Sequence, residues 1–276
     1  MLSCPRQSLP REDGGGHPAS FAKKNLDSRF HGNEAPGVLN SAATDSTLHK
    51  RYVVLIVAVH QPQYLPWLGY FAKMIRADAF CYLNDVQFKK NEWQNRNRIK
   101  TAQGWQWLTV PVCYHFPEKI NEVEINNAAG WQKKHLLALV TNYSRAPFYE
   151  SYRAIFEDTF SREWKFISEL NIHLLEHLRA ALQIDEKPTV ISSDLDLREE
   201  PTNRLIDICK VVGADTYLAG KDGVHYMDLK RFEKSEIDVI IQDFKHPVYE
   251  QLFGDFESHL SIVDLLFNCG PESMRV

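Results

Sequence analysis

His60 follows the apolar run Tyr52-Val-Val-Leu-Ile-Val-Ala-Val59 and opens the turn His60-Gln-Pro-Gln-Tyr-Leu-Pro66. An imidazole leaving a buried strand is a candidate general base, because its ordinary pKa is near neutrality. Gln61 and Gln63 add amide donors beside it. Pro62 and Pro66 stiffen the loop and reduce the entropy lost on binding. Pro66 also sits where a helix tolerates proline, in its first turn. A helix start there offers unpaired N–H groups and partial positive charge to an anion. Gly69 would let a ligand or strand approach that helix closely. The alternative is a rigid turn in which His60 caps backbone groups.

Asn84 to Arg98 is the second candidate, with four Asn, two Gln, two Lys and two Arg in one short stretch. On a strand, Arg96 and Arg98 would face the same side and form a fork for phosphate or carboxylate. Trp93 could stack on a base or sugar. An exposed polar hairpin is the plainer reading. Thr202 suits an N-cap, and Arg204 in the next turn must be salt-bridged or near an anion. Tyr217-Leu-Ala-Gly-Lys-Asp-Gly-Val-His-Tyr226 reads as a strand and a following loop, with Gly220, Lys221 and Tyr226 within ligand reach. Asp264 and Asn268 are four apart, hence on one helix face. Asp264 is a second catalytic candidate, orienting His60 or holding an ammonium, with a salt bridge as the alternative. Gly270 suits a helix C-cap.

No GxSxG, HExxH, GxxxxGK[ST] or GxGxxG occurs. None of the 11 histidines has a convincing metal spacing, so no metal is expected. The five cysteines form no CxxC, which indicates neither a disulfide framework nor a zinc knuckle. Cys81, Cys113 and Cys209 lie in apolar segments and read as core.

The elements that position these residues alternate. Strands are expected at 52–59, 79–83, 105–112, 120–125, 189–192, 215–219 and 239–242. Helices are expected at 67–77, 130–144, 149–160, 164–182, 202–212 and 260–267, the last capped by Ser258 or Ser261. Purely apolar strands alternating with helices predict an α/β fold. Its mainly parallel, Rossmann-like sheet is flanked by helices, with a small antiparallel insertion around 84–126. In such sheets ligands bind beyond the carboxyl ends of the strands, which is where His60 and Gly220 fall.

The chain of 276 residues is 44% apolar and 25% charged, a globular composition. Its net charge of −4 gives no global cationic field for nucleic acid or an anionic membrane. No apolar run approaches the roughly 18 residues of a membrane span. With no signal-peptide pattern either, the expected compartment is the cytoplasm. Residues 1–52 hold 5 of 13 Gly and 4 of 13 Pro but only 3 aromatics, and read as a disordered tail before a domain spanning 53–276. Within the tail, Asp27-Ser-Arg-Phe-His-Gly-Asn-Glu34 resembles translated bacterial intergenic repeats, as a start codon placed too far upstream would give. A genuine flexible extension is the alternative.

His60-Gln-Pro-Gln-Tyr-Leu-Pro-Trp-Leu-Gly-Tyr-Phe71 and Asn95-Arg-Asn-Arg-Ile-Lys-Thr101 together resemble the WbqC-like protein family. Trp107-Leu-Thr-Val-Pro-Val112, Arg204-Leu205, Asp215-Thr-Tyr-Leu-Ala-Gly220 and Ser261 to Gly270 follow in the same order. The resemblance covers Val53 to the C-terminus. It implies a role in bacterial surface-polysaccharide and O-antigen (lipopolysaccharide) biosynthesis, as a glycine or other acyl transferase acting on amino sugars. It carries no catalytic assignment. By motif and placement, the substrate-binding candidates are Gln61, Gln63, Tyr64, Trp67, Gly69, Asn95, Arg96, Arg98, Arg204, Gly220, Lys221 and Asn268. Asn203 and Lys221 depart from the family's pattern, which bears on the pocket lining.

The expected reaction is amide formation on a nucleotide-linked amino sugar. The donor is open among acyl-CoA, aminoacyl-tRNA and ATP-activated acid, and tRNA is the only nucleic acid expected as a partner. Two alternatives stand beside it. One is a non-catalytic glycan-precursor-binding or scaffold protein. The other is an ATP-using nucleotidyltransferase-like ligase, although its HxGH-type pair is missing.

Overall fold

A computed structural model describes residues 55–275. The tail expected over 1–52 and the first residues of the strand expected at 52–59 lie outside the described residues. Ile56–His60 forms β1, followed by α1 (Leu68–Arg76) and β2 (Ala79–Tyr82). A long excursion comes next. It carries β3 (Arg96–Thr101), β4 (Gly104–Thr109), β5 (Val112–Cys113) and β6 (Glu124–Ile125), then α2 (Trp131–Tyr143), α3 (Tyr149–Ser161) and α4 (Ile167–Ala181). The chain returns through β7 (Thr189–Ile191), α5 (Pro201–Val212), β8 (Thr216–Ala219), α6 (Leu229–Lys234), β9 (Asp238–Ile241) and α7 (Ile262–Cys269).

Five strands form one parallel sheet in the order β7-β2-β1-β8-β9, with pairs such as Val57↔Ala79 and Val57↔Tyr217. Alternate residues feed two cores. Ala58, Phe80, Tyr82 and Leu218 pack with α1, α2, α3, α4 and α7. Val57, Val59, Ala79, Cys81 and Tyr217 pack with Leu205, Ile206 and Phe232 of α5 and α6. Burial on both faces explains why these strands read as unbroken apolar runs. Antiparallel pairs β3–β4 and β5–β6 make up the small insertion.

Some boundaries differ from the sequence reading for local reasons. Glu200, not Thr202, caps α5: its carboxylate accepts the Asn203 N–H at 2.8 Å, with Pro201 in the first turn. Thr202 Oγ1 instead accepts the Asp228 N–H at 3.2 Å. The polar stretch ending in Arg98 already enters β3, because Asn97 and Ile99 turn inward while Arg96 and Arg98 stay half-buried on the other side. Ser261 caps α7 by accepting the Val263 N–H at 3.3 Å.

Gly270 follows α7 at φ 56°, ψ −129°, and a Cβ there would lie 2.4 Å from the Phe148 ring. Both the backbone and the space demand glycine. Gly270→Ala is expected to cost about 2–4 kcal/mol of stability, read by urea unfolding. A cost below about 0.5 kcal/mol would show that this corner yields easily.

Candidate functional site

The order of strand addition reverses between β1 and β8: the chain proceeds from β1 to one side through β2 and β7, and to the other through β8 and β9. That point opens a crevice beyond the carboxyl ends of the strands. A cavity of about 780 Å³ occupies it, within the usual size for small-ligand sites. Its wall combines His60 and Gln61 after β1, Lys73 of α1, Asp85 after β2, Arg204 of α5 and Gly220 after β8. Gly220 leaves open space where a side chain would project, since a Cβ there meets nothing within 4 Å.

His60 Nδ1 lies 3.1 Å from the Gln61 carbonyl, so it carries the proton and donates. The ring sits 4.7 Å from that of Tyr70, whose hydroxyl donates to the same carbonyl at 3.2 Å. Burial, reinforced by the Lys73 charge, lowers the His60 pKa to about 3. The expectation of a near-neutral imidazole base is corrected on this point: His60 is a neutral hydrogen-bonding group across the physiological range.

Lys73 is the group that titrates near neutrality. Its Nζ donates to the Val59 carbonyl at 2.9 Å, and burial lowers its pKa to about 8. It lies one helical turn beyond Gly69, so its place beside the loop was legible from spacing. Its amine is hidden among the apolar residues of α1, with which it is buried.

Arg204 pairs with Asp85, and Asp85 also accepts from Ser192 Oγ. Burial pushes the Asp85 carboxyl up, but hydrogen bonds from Ser192 and Arg204 outweigh it and hold the pKa below the ordinary value. Arg204 is thus salt-bridged and also lines the cleft. Its charge is largely spoken for, and Lys73 is the buried cation left for a ligand. Lys119 and Lys221 face Glu199, Asp222 and Asp243 around the rim, so the mouth is near charge balance.

Of the sequence candidates, the cavity brings together His60, Gln61, Trp67, Gly69, Arg204, Gly220 and Lys221. Gly69 serves packing: a Cβ there would lie 2.4 Å from the Trp67 ring, which folds back over the helix start. The others lie elsewhere. Tyr64 is buried, with its hydroxyl 2.7 Å from His135 Nδ1. Gln63 is buried outside the cavity lining. Asn95 accepts the Asn91 N–H and donates to the Val110 carbonyl at 3.0 Å. Arg96 and Arg98 stack on Trp107 and Trp105. Asp264 is fully buried and accepts from Tyr143, Tyr249 and Gln251, while Asn268 donates to its carbonyl.

The amide-rich stretch shapes the site indirectly. Leu65 adopts φ 45°, and Asn97 donates to its carbonyl at 2.7 Å. Gln94 donates to Gln61 Oε1 at 2.6 Å. Asn171 of α4 ties the Pro62 and Gln94 carbonyls together at 3.0 and 2.8 Å. These amides satisfy an irregular buried backbone that has no ladder of its own. Among the described residues no group of three or more His, Cys, Asp and Glu side chains is placed to hold a metal, and no helix is long and apolar enough to cross a membrane.

The family model described as the WbqC-like protein family matches residues 61–276. The chain is also similar to the uncharacterized protein Rv1507c of Mycobacterium tuberculosis (strain ATCC 25618 / H37Rv). The two are 38% identical over 221 residues, which span 79% of this chain and 95% of that protein. No solved structure matches the chain.

Proposed function

Because the chain belongs to the WbqC-like protein family, we propose that it is a transferase forming an amide on a nucleotide-linked amino sugar. The reading places this reaction in the cytoplasm, in surface-polysaccharide assembly. The observation that carries it is Lys73: a buried amine, pKa about 8, on the wall of a cavity at the sheet's reversal point. An amino sugar binds as an ammonium and reacts as an amine. A neutral Lys73 would accept one of its protons, since matched pKa values favour transfer at neutral pH. The freed nitrogen then forms the C–N bond to the acyl carbon, the bond from that carbon to its oxygen or sulfur leaving atom breaks, and the nitrogen's second proton passes to that leaving atom. His60, neutral and fixed by Gln61, would orient a hydroxyl or the amine through Nε2. The space beside Gly220 would take the sugar ring.

Lys73→Met keeps the stem and removes the amine. It is expected to weaken a nucleotide amino sugar by about 10–100-fold, as loss of a charge-assisted hydrogen bond does. Thermal shift against nucleotide amino sugars, acyl-CoA and ATP reads this, since a bound ligand raises stability. Stabilisation by none of these, or equal stabilisation of wild type and Lys73→Met, would remove the reading. The low pKa of His60 favours a second one, a non-catalytic precursor-binding protein. It predicts binding without amide product when sugar and acyl donor are supplied together.

A further inference from the structure

Three of the chain's 6 tryptophans crowd the outer face of the β3–β4 ribbon. Trp93, Trp105 and Trp107 are 37, 43 and 37% exposed, with ring centroids 5.8 and 5.6 Å apart along the row. Arg96 lies 4.2 Å over the Trp107 ring, and Arg98 lies 4.9 Å over that of Trp105. Stacking uses the flat faces of a guanidinium and leaves the in-plane edges of its terminal N–H groups available.

Those edges lack anions. Among the described residues the Arg96 side chain has no hydrogen-bond or ion-pair partner, and the Arg98 side chain reaches only the His259 carbonyl at 3.2 Å; the Nε atoms of both are buried, so the terminal nitrogens are the groups open to a ligand. Arg153, Arg162, Arg179, Arg198, Arg204, Arg231 and Arg275 each meet a carboxylate, whereas among the described residues Arg76 and Arg145, like Arg96 and Arg98, meet none. Backbone and ring contacts link this ribbon to the cavity wall through Ser261 and His259. Ser261 donates its N–H to the Arg98 carbonyl at 2.9 Å and pairs with Trp67, a cavity residue stacked on His259 at 5.2 Å.

We propose that this face is an extended subsite for an acidic saccharide chain, one end of which enters the cavity. Exposed indoles match the C–H-rich faces of pyranose rings, which are apolar while their rims are polar. Two uncompensated guanidiniums match carboxylates carried on some of those rings. A net charge of −4 gives no long-range field for a polymer with a phosphate on every unit, which disfavours nucleic acid. Only the occupant of the cavity end rests on the transferase reading.

Calorimetric titration of the full chain tests this with hyaluronan and unsulfated chondroitin tetrasaccharides, which carry a carboxylate on alternate rings, a neutral glucan tetrasaccharide and a single-stranded RNA tetramer. At least one acidic saccharide should bind, with the neutral glucan and the RNA at least tenfold weaker. Arg96→Met with Arg98→Met, and separately Trp105→Ala, should each weaken it tenfold or more. Should a variant not fold, binding to the wild-type chain must still weaken as salt rises, because the contact is ionic. Binding of neither acidic saccharide, equal or tighter binding of glucan or RNA, indifference to the substitutions, or indifference to salt would each overturn the proposal. A nucleotide amino sugar that shifts wild type and the arginine variants alike, but not Lys73→Met, reports the cavity separately. Loss of that signal with saccharide binding intact would sink the transferase reading alone.

Discussion

Asp264→Ala should lower the unfolding free energy by about 3–5 kcal/mol, the penalty of stranding partners of a buried charge. Asp264 is fully buried on α7. Tyr143 Oη donates to one carboxylate oxygen at 2.8 Å, and Tyr249 Oη and Gln251 Nε2 donate to the other at 2.9 and 2.8 Å. Tyr143 Oη in turn accepts the Lys100 N–H at 2.9 Å, and Lys100 Nζ donates to Gln251 Oε1 at 3.0 Å. Burial raises the carboxyl pKa, while the tyrosine hydrogen bonds and Lys100 pull it down. The cluster pins α2, β3, α7 and the segment between β9 and α7 together. Alanine would leave two hydroxyls and one N–H of the Gln251 amide without an acceptor, the other N–H keeping the Glu257 carbonyl. Asp264→Asn, keeping one oxygen, should lose less. Urea unfolding decides it: a loss under about 1 kcal/mol for alanine would mean that water or rearrangement replaces the carboxylate. Binding in the cavity should persist in the folded fraction, because Asp264 does not line it.

Lowering the pH from 7 to 5 should cost the fold about 4 kcal/mol, through His60 and His135 together. Burial lowers the His60 pKa to about 3 and that of His135 to about 4, from an ordinary 6.5. The unfolded chain therefore holds more protons than the folded one between pH 6.5 and these values. Stability is fully present above about pH 6.5 and is lost as pH falls. Each histidine contributes about 2 kcal/mol of that loss at pH 5. His135 is the cleaner probe: it is buried, and its ring nitrogen contacts the Tyr64 hydroxyl rather than the cavity. His135→Gln should remove about 2 kcal/mol of the stability lost between pH 7 and 5. Chemical denaturation at several pH values measures it. A wild-type profile that is flat or rises toward pH 5 would show that the native state accepts those protons without cost.

Much of the scaffold was legible because its signals are local. Val57, Ala58 and Val59 alternate between two cores, so neither strand face could be polar. Leu170, Leu174 and Leu178 fall on one face of α4. The place of the cleft was also legible, since His60 and Gly220 end neighbouring strands of a parallel sheet. The strand character of Arg96–Thr101 was hidden, because its outward residues are cations and its inward ones include Asn97.

The residues alone thus determined the strand–helix alternation, the parallel sheet and the family, since backbone periodicity and motif order are properties of the chain itself. Tertiary structure decided which polar groups meet. Arg204 finds Asp85 across 119 positions, and Tyr143 finds Asp264 across 121. It made Asp264 a buried anchor, turned Arg96 and Arg98 onto tryptophans, and left Lys73 beside His60 in the cleft. Such pairings, and the pKa values they set, depend on desolvation and on contacts between distant segments, which exist only once the chain has packed.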